Sequence, residues 1–159
     1  MRDKSFILSR MFCVVGAHTD CYVCHKSTPV FAIGVAECTS TDPYQFGIDE
    51  DDSSAILIGI QDLNYPVIEV LHHKFSTSFK LDTCFTQGRQ YWMNHCAHCD
   101  SKLGDHYLHS EPDVAFFPTN EEGQTRLSYA WFSFPLRAVA LLSAGSTSSY
   151  MASTLTLGD

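Results

Sequence analysis

Two short stretches carry the most specific chemistry in the chain: Cys21-Tyr22-Val23-Cys24 and Cys96-Ala97-His98-Cys99. Each is a Cys-x-x-Cys pair. In such a knuckle the chain turns back sharply, so both sulfurs reach one ion about 2.3 Å away. One pair supplies two ligands; two pairs supply the four thiolates of a closed tetrahedral zinc site. The expected ligands are therefore Cys21, Cys24, Cys96 and Cys99, holding one structural Zn2+. The pairs lie 72 positions apart (96 − 24), against roughly 15–20 in common ribbons, so folding must close a long excursion. Thioredoxin-like redox chemistry uses the same motif, but at a helix start after a strand in a βαβ unit. Neither pair has that setting. Disulfides need an oxidising compartment, and no clear secretory signal is present.

The neighbours of the knuckles fit a metal. Four thiolates on zinc leave a net charge of about −2, which nearby cations and N–H donors offset. Lys26 and Lys102 follow the second cysteines, and His25, His95 and His98 flank the pairs. Any of these histidines could replace a thiolate; the ordinary roles are support of the ligands or plain surface. Many knuckles place Gly after the second Cys, where φ is positive. Here those positions hold His25 and Asp100, two residue types enriched in that conformation.

Other chemistry-bearing residues are less specific. Asp105, His106, His109 and Glu111 lie close enough in sequence to bind an open metal or to act as acid and base. Their ordinary reading is a turn or cap at Gly104-Asp105, with His109 bonded to the ribbon. Tyr91 and Trp92 could stack on bases, but such aromatics are more often core. His72 and His73 are adjacent, so on a helix they point about 100° apart and chelate poorly. The acidic run Asp49 to Asp52 reads as a solvated tip, or as a docking point for a cation or a basic partner.

The 159 residues are 45% hydrophobic and 18% charged, which suits one globular domain with a real core. Ten Lys and Arg stand against eighteen Asp and Glu, a formal charge of −8. Affinity for phosphate backbones comes largely from Lys and Arg, so weak or no nucleic-acid binding is expected. Seven cysteines leave Cys13, Cys38 and Cys84 outside the metal set, expected as buried free thiols in a reduced, cytoplasmic setting. The apolar run Met11 to Ala17 is at the short limit for a secretory leader. Ala138 to Leu142 is far too short to span a bilayer.

The elements that must position the knuckles read as follows. Phe12 to Val15 is a strand or a short packed segment leading into the first knuckle, and Pro29 to Val35 a strand after it, rich in β-branched residues. Ala55 to Ile60 is a continuous apolar run, expected as a central strand covered on both faces. Asn64-Tyr65-Pro66 starts a helix, with Pro66 near its first position. Residues 76 to 85 return to a β pattern, and Gln90 to Asn94 is a strand feeding the second knuckle. Asn120 to Gln124 reads as a polar turn, Arg126 to Phe134 as a strand and Leu136 to Leu142 as a short helix. The expected architecture is α+β: a mostly antiparallel sheet, one or two helices and a split four-cysteine zinc ribbon. It occupies residues 1–142, with a flexible Ser/Thr-rich tail over 143–159.

Three segments together resemble small bacterial zinc-ribbon proteins of uncharacterised function. They are Cys21-x-x-Cys24-x-Lys26-x-Thr28-Pro29-Val30, Tyr91-Trp92-Met93-Asn94-His95-Cys96-x-His98-Cys99 and Gly104-Asp105-x-x-Leu108-His109-x-Glu111-Pro112. The resemblance covers roughly residues 20 to 118. It implies a zinc-binding, cytoplasmic bacterial or phage-type protein and carries no activity with it. Asp100 stands where Gly is more usual, and Asp113-Val114 where a Gly-rich turn is expected. The function expected from all of this is a non-catalytic zinc-binding protein. It would act through protein–protein interaction with a partner of basic character, as an inhibitor or immunity-type protein does. The alternatives are a metal-dependent hydrolase using Asp105, His109 and Glu111, and a nucleic-acid-binding zinc ribbon.

Overall fold

The computed structural model describes residues 6–36, 38–40, 54–75, 78–85, 88–109, 113–143 and 151. In chain order these form β1 (Phe6–Ser9), β2 (Met11–Asp20), β3 (Ser27–Ala36), β4 (Thr39–Ser40) and β5 (Ala55–Leu63). Helix α1 (Tyr65–Val70) follows and continues as a π-helical turn over Leu71–Phe75. Next come β6 (Lys80–Cys84), β7 (Arg89–His95) and β8 (Lys102–Leu103). The short helices α2 (Asp105–His109) and α3 (Glu121–Thr125) precede β9 (Ser128–Phe132) and β10 (Leu136–Ser143).

Seven strands make one sheet, ordered β4-β1-β10-β5-β3-β2-β9, and three make a second, β6-β7-β8. All pairings are antiparallel. The fold is thus α+β with mostly antiparallel sheets, as expected, and has three helices among the described residues. No helix among them is long and apolar enough to cross a membrane. The run Met11 to Ala17 lies within β2, in the middle of the larger sheet.

The larger sheet is buried on both faces, which explains its continuous apolar runs. Along β2, Phe12 and Val14 enter one core with Leu57, Val67, Leu71 and Trp92. Cys13, Val15 and Ala17 enter the other, with Leu108, Phe116 and Leu127. One face is therefore covered by α1 and the smaller sheet, and the other by α2 and the segment that follows it. Strand β5 is central, between β10 and β3, as its sequence implies.

Partway along β5 the ladder breaks. Ile58 pairs with Leu141 and Asp62 with Val139, so four steps of β5 oppose two of β10. Gly59 absorbs the bulge with φ +59, a conformation that costs glycine little. The bulge also shifts the side-chain phase: Leu57 and Ile60 both reach the α1 face. Strand β3 pairs with β5 only over Ile33 to Val35.

Leu136 to Leu142, expected as a helix, is strand β10 instead. Its Leu136, Ala138, Ala140 and Leu142 all enter the α1-side core, a period-2 pattern. A seven-residue run of Leu, Ala and Val interrupted only by Arg137 satisfies both periods, and pairing with β1 and β5 decides between them. Asn120 to Gln124, expected as a turn, begins α3: Asn120 Oδ1 accepts the Gly123 N–H at 2.7 Å, an N-cap. The acidic run 49–52 lies outside the described residues, as does most of 143–159. Within that last segment Met151 is fully buried, its sulfur filling the space that a Cβ on Gly34 would need.

Candidate metal centre

Each Cys-x-x-Cys stretch is the tip of a hairpin. The first joins β2 to β3 in the large sheet; the second joins β7 to β8 in the small one. The two tips share one backbone pattern. His25 N–H donates to Cys21 O and Cys21 N–H to Lys26 O; Asp100 N–H donates to Cys96 O and Cys96 N–H to Ser101 O, all at 2.9–3.0 Å. The N–H groups of Val23 and His98 point at Cys21 Sγ and Cys96 Sγ, each at 3.4 Å. His25 and Asp100 take φ +63 and +62, the left-handed conformation expected after the second cysteine.

The four sulfurs converge, all within 4.8 Å of one another. Cys21 Sγ lies 3.6 Å from Cys99 Sγ, and Cys24 Sγ lies 3.6 Å from Cys96 Sγ. These separations are far longer than the roughly 2.0 Å of a disulfide. They lie close to the value of about 3.8 Å for neighbouring corners of a tetrahedron with 2.3 Å metal–sulfur bonds. Cys21, Cys24, Cys96 and Cys99 could therefore hold one metal ion. Among the described residues this is the one group of three or more His, Cys, Asp or Glu so placed.

The thiols are not equivalent. The Ser101 hydroxyl and backbone lower the Cys99 thiol to about 6. Burial raises Cys96, but the N–H groups of Cys99 and His98 outweigh it and hold the thiol below its ordinary value. The Lys26 backbone lowers Cys24, yet burial and the other three thiols push it up to about 11. Crowded thiols thus compete over which gives up a proton, and a bound divalent cation would remove that competition by taking all four as thiolates.

Side chains clamp one hairpin tip to the other. Thr28 Oγ1 accepts the Ala97 N–H at 2.9 Å, and Tyr22 donates its hydroxyl to Lys102 O at 3.1 Å. His98 Nε2 lies 3.0 Å from Ser27 O. Asn94, buried in β7, accepts the Phe31 N–H and donates to Phe31 O, both at 2.8 Å. It thereby takes the place of a paired strand beside β3, beyond the point where β5 stops pairing. Nothing in the sequence singled out Thr28, Tyr22 or Asn94 for these roles. The one available signal was that Asn94 is a polar residue inside an aromatic strand.

The flanking histidines stay outside the cluster. His95 Nδ1 lies 2.9 Å from Ser78 O and Nε2 2.7 Å from Asp82 Oδ2. Each ring nitrogen faces an acceptor oxygen, so both are engaged away from the sulfurs. The His95 bond is the main reason the Asp82 carboxyl is held below its usual range. Lys102 turns away from the sulfurs, donating to Thr83 O and lying 3.6 Å from Asp82. Cys13 is buried and pushed up to about 12, and burial raises Cys38 as well. Cys84 is only half-buried on β6.

Asp105 and His109 come together, but in packing. Asp105 Oδ2 accepts the Gly59 N–H that the bulge frees, at 2.6 Å. Its own N–H donates to the Tyr91 hydroxyl. His109 stacks on Phe116 at 4.9 Å, with Nε2 3.9 Å from Asp105 Oδ1. Burial raises Asp105 to about 6 and lowers His109 to about 4. Glu111 and the His106 side chain lie outside the described residues. His72 packs near Trp92. Tyr91 and Trp92 are 2% and 8% exposed, which removes both as platforms for stacking bases. No protein-family model, curated protein or solved structure matches the chain.

Proposed function

We propose that the chain is a non-catalytic zinc-binding protein of the small bacterial zinc-ribbon type, cytoplasmic. It acts through protein–protein interaction, in the manner of an inhibitor or immunity protein. One observation carries the metal part: four thiols from the tips of two hairpins, one in each sheet, lie within 4.8 Å of one another, enough to supply all four corners of a tetrahedral site. A site so closed has no position left for water or substrate, the arrangement of structural rather than catalytic zinc. The metal then cross-links the sheets, and its binding free energy becomes folding free energy. Chemistry elsewhere is poorly supplied, because Asp105 and His109 are engaged with the Gly59 bulge and Phe116. The interaction part rests on the charge of −8, which suits a basic partner such as the nucleic-acid-binding face of another protein.

Elemental analysis of the wild type and the seven Cys→Ser variants tests the metal part. About one zinc per chain is expected, lost on changing Cys21, Cys24, Cys96 or Cys99 and kept on changing Cys13, Cys38 or Cys84. Full retention in Cys96→Ser would end the reading. For the interaction, immobilised holoprotein should retain a basic protein from a bacterial extract in salt-sensitive fashion. Turnover of an ester or phosphodiester that vanishes in Asp105→Asn would replace this reading with the hydrolase.

A further inference from the structure

Where β1 turns into β2 and β10 begins, two apolar grooves adjoin. One, of about 640 Å3, lies between α1 with its π turn and Phe134-Pro135. The other, of about 580 Å3, lies between Leu8 and Leu136. Asn64 and Pro135 belong to both, so the grooves form one surface. Its apolar anchors include Pro66, Val70, Phe134 and Leu8, the last 49% exposed. Its middle is fixed rather than soft. Asn64 donates from its side chain to Pro135 O and accepts the Arg137 N–H, while its own N–H donates to Arg137 O.

Three of the chain's ten Lys and Arg line these grooves. Lys80, Lys102 and Arg126 each lie within ion-pair distance of a carboxylate, and Arg89 acts on Asp105. Arg10, Lys26, Lys74 and Arg137 form no ion pair among the described residues; Lys26 sits at the first knuckle, and the other three line the grooves, with Lys74 Nζ 5.4 Å from the centre of the Phe132 ring. Glu69 is the one carboxylate among the lining residues, and it already bonds the Tyr65 hydroxyl. In a chain of charge −8, this groove joins apolar walls to three cations that pair with no carboxylate among the described residues. Beyond about 8–10 Å the net charge is screened at ordinary salt, so the local cations decide what docks.

We infer that this double groove docks an acidic segment of a partner protein, with leucine or phenylalanine side chains seated on the apolar walls and carboxylates on Arg10, Arg137 and Lys74. This takes from the proposed function only that the ligand is protein; the surface is separate from the metal centre. Nucleic acid fits less well, since three cations offer few phosphate contacts.

Fluorescence polarisation of the full-length, zinc-loaded chain with a short labelled peptide alternating Glu with Leu and Phe tests it. Binding is expected to weaken with added salt and to be about tenfold tighter than for the same peptide with Lys in place of Glu. Each of Arg10→Gln, Lys74→Gln and Arg137→Gln should weaken it several-fold, and the triple variant should abolish it, with zinc content unchanged. These changes remove side chains alone; the Arg137 backbone bonds to Asn64 remain. Arg126→Gln, on α3, should leave binding as it was. Equal binding of the Glu and Lys peptides, or indifference to the triple variant, overturns the inference while leaving the metal reading intact. So does displacement of the peptide by a lower concentration of oligothymidylate. Sedimentation showing self-association that the triple variant abolishes would make the occupant a second copy, and would overturn it too.

Discussion

The two knuckles are built alike and anchored differently. Both repeat the same backbone bonds, the same sulfur-directed N–H and the same positive φ. The first closes a hairpin whose strands pair over ten positions, Met11 with Ala36 through Asp20 with Ser27. The second closes a hairpin with two paired positions, Asn94 with Leu103 and His95 with Lys102. Cys24 is half-buried and its counterpart Cys99 is exposed. Local turn chemistry therefore needs no long hairpin, but persistence without metal does. The first knuckle has ten paired positions behind both of its strands. The second has β7 paired with β6 over five positions, but its exit strand has only two and is otherwise tied back to β5 by α2 through Asp105, so a bound metal would matter more to it.

Removing the metal is the strongest way to break this comparison. Zinc-finger peptides gain on the order of 10–16 kcal/mol from zinc, an upper guide for a chain with its own core. After chelation, amide hydrogen exchange should accelerate most over residues 96–103, while residues 11–20 and 27–36 keep much of their protection. Equal loss at both knuckles would show that the long hairpin lends the first no independence.

Asn94→Ala comes next. It leaves the Phe31 N–H and C=O without their partner at a buried position, at a cost of roughly 2–4 kcal/mol. Denaturant unfolding of the zinc-loaded variant measures it. A loss under about 0.5 kcal/mol would mean that β7 is held to β3 by packing alone.

The anchor on α2 can be titrated. Asp105 has a folded value of about 6, above the roughly 4 of an unfolded carboxyl. The folded state holds that proton more tightly, so stability from this group is present below about pH 4 and lost as pH rises through 6. Asn in its place keeps an acceptor for the Gly59 N–H and does not titrate. Asp105→Asn should therefore gain on the wild type by about 2–3 kcal/mol between pH 4 and pH 7. His109 has the opposite sign: its folded value of about 4 lies below the unfolded one of about 6.5. Its contribution is full above about pH 6.5 and lost as pH falls through 4, so His109→Gln should gain on the wild type towards acid. The two opposed slopes largely offset each other in the wild type, and unfolding curves across that range separate them. Parallel slopes in both variants would refute the assignment.

The smallest effect tests the likeness of the turns. His25→Gly and Asp100→Gly each relieve a side chain at positive φ, worth about 0.5–1 kcal/mol. Because Asp tolerates that conformation better, His25→Gly should stabilise more. Calorimetry of the zinc-loaded proteins gives the order, and the reverse order would mean that His25 makes a compensating contact.

What the sequence determined by itself is what chain-local chemistry determines. Cys-x-x-Cys with its turn-back bonds, positive φ at His25 and Asp100, the strand bias of Pro29 to Val35 and a helix opening at Pro66 all depend on a few neighbouring residues. So does the apolar run of β5, whose length and branching signal burial on both faces. Tertiary structure decided whatever depends on a partner far along the chain. Leu136 to Leu142 became a strand because β1 and β5 offered it two ladders. Asp105 became the acceptor for a bulge 46 positions earlier. Thr28 and Asn94 reached across 69 and 63 positions to join the sheets. A side chain's bonding capacity is written in its type, but which capacity is used depends on which backbone group burial leaves without a partner, and only the closed fold settles that.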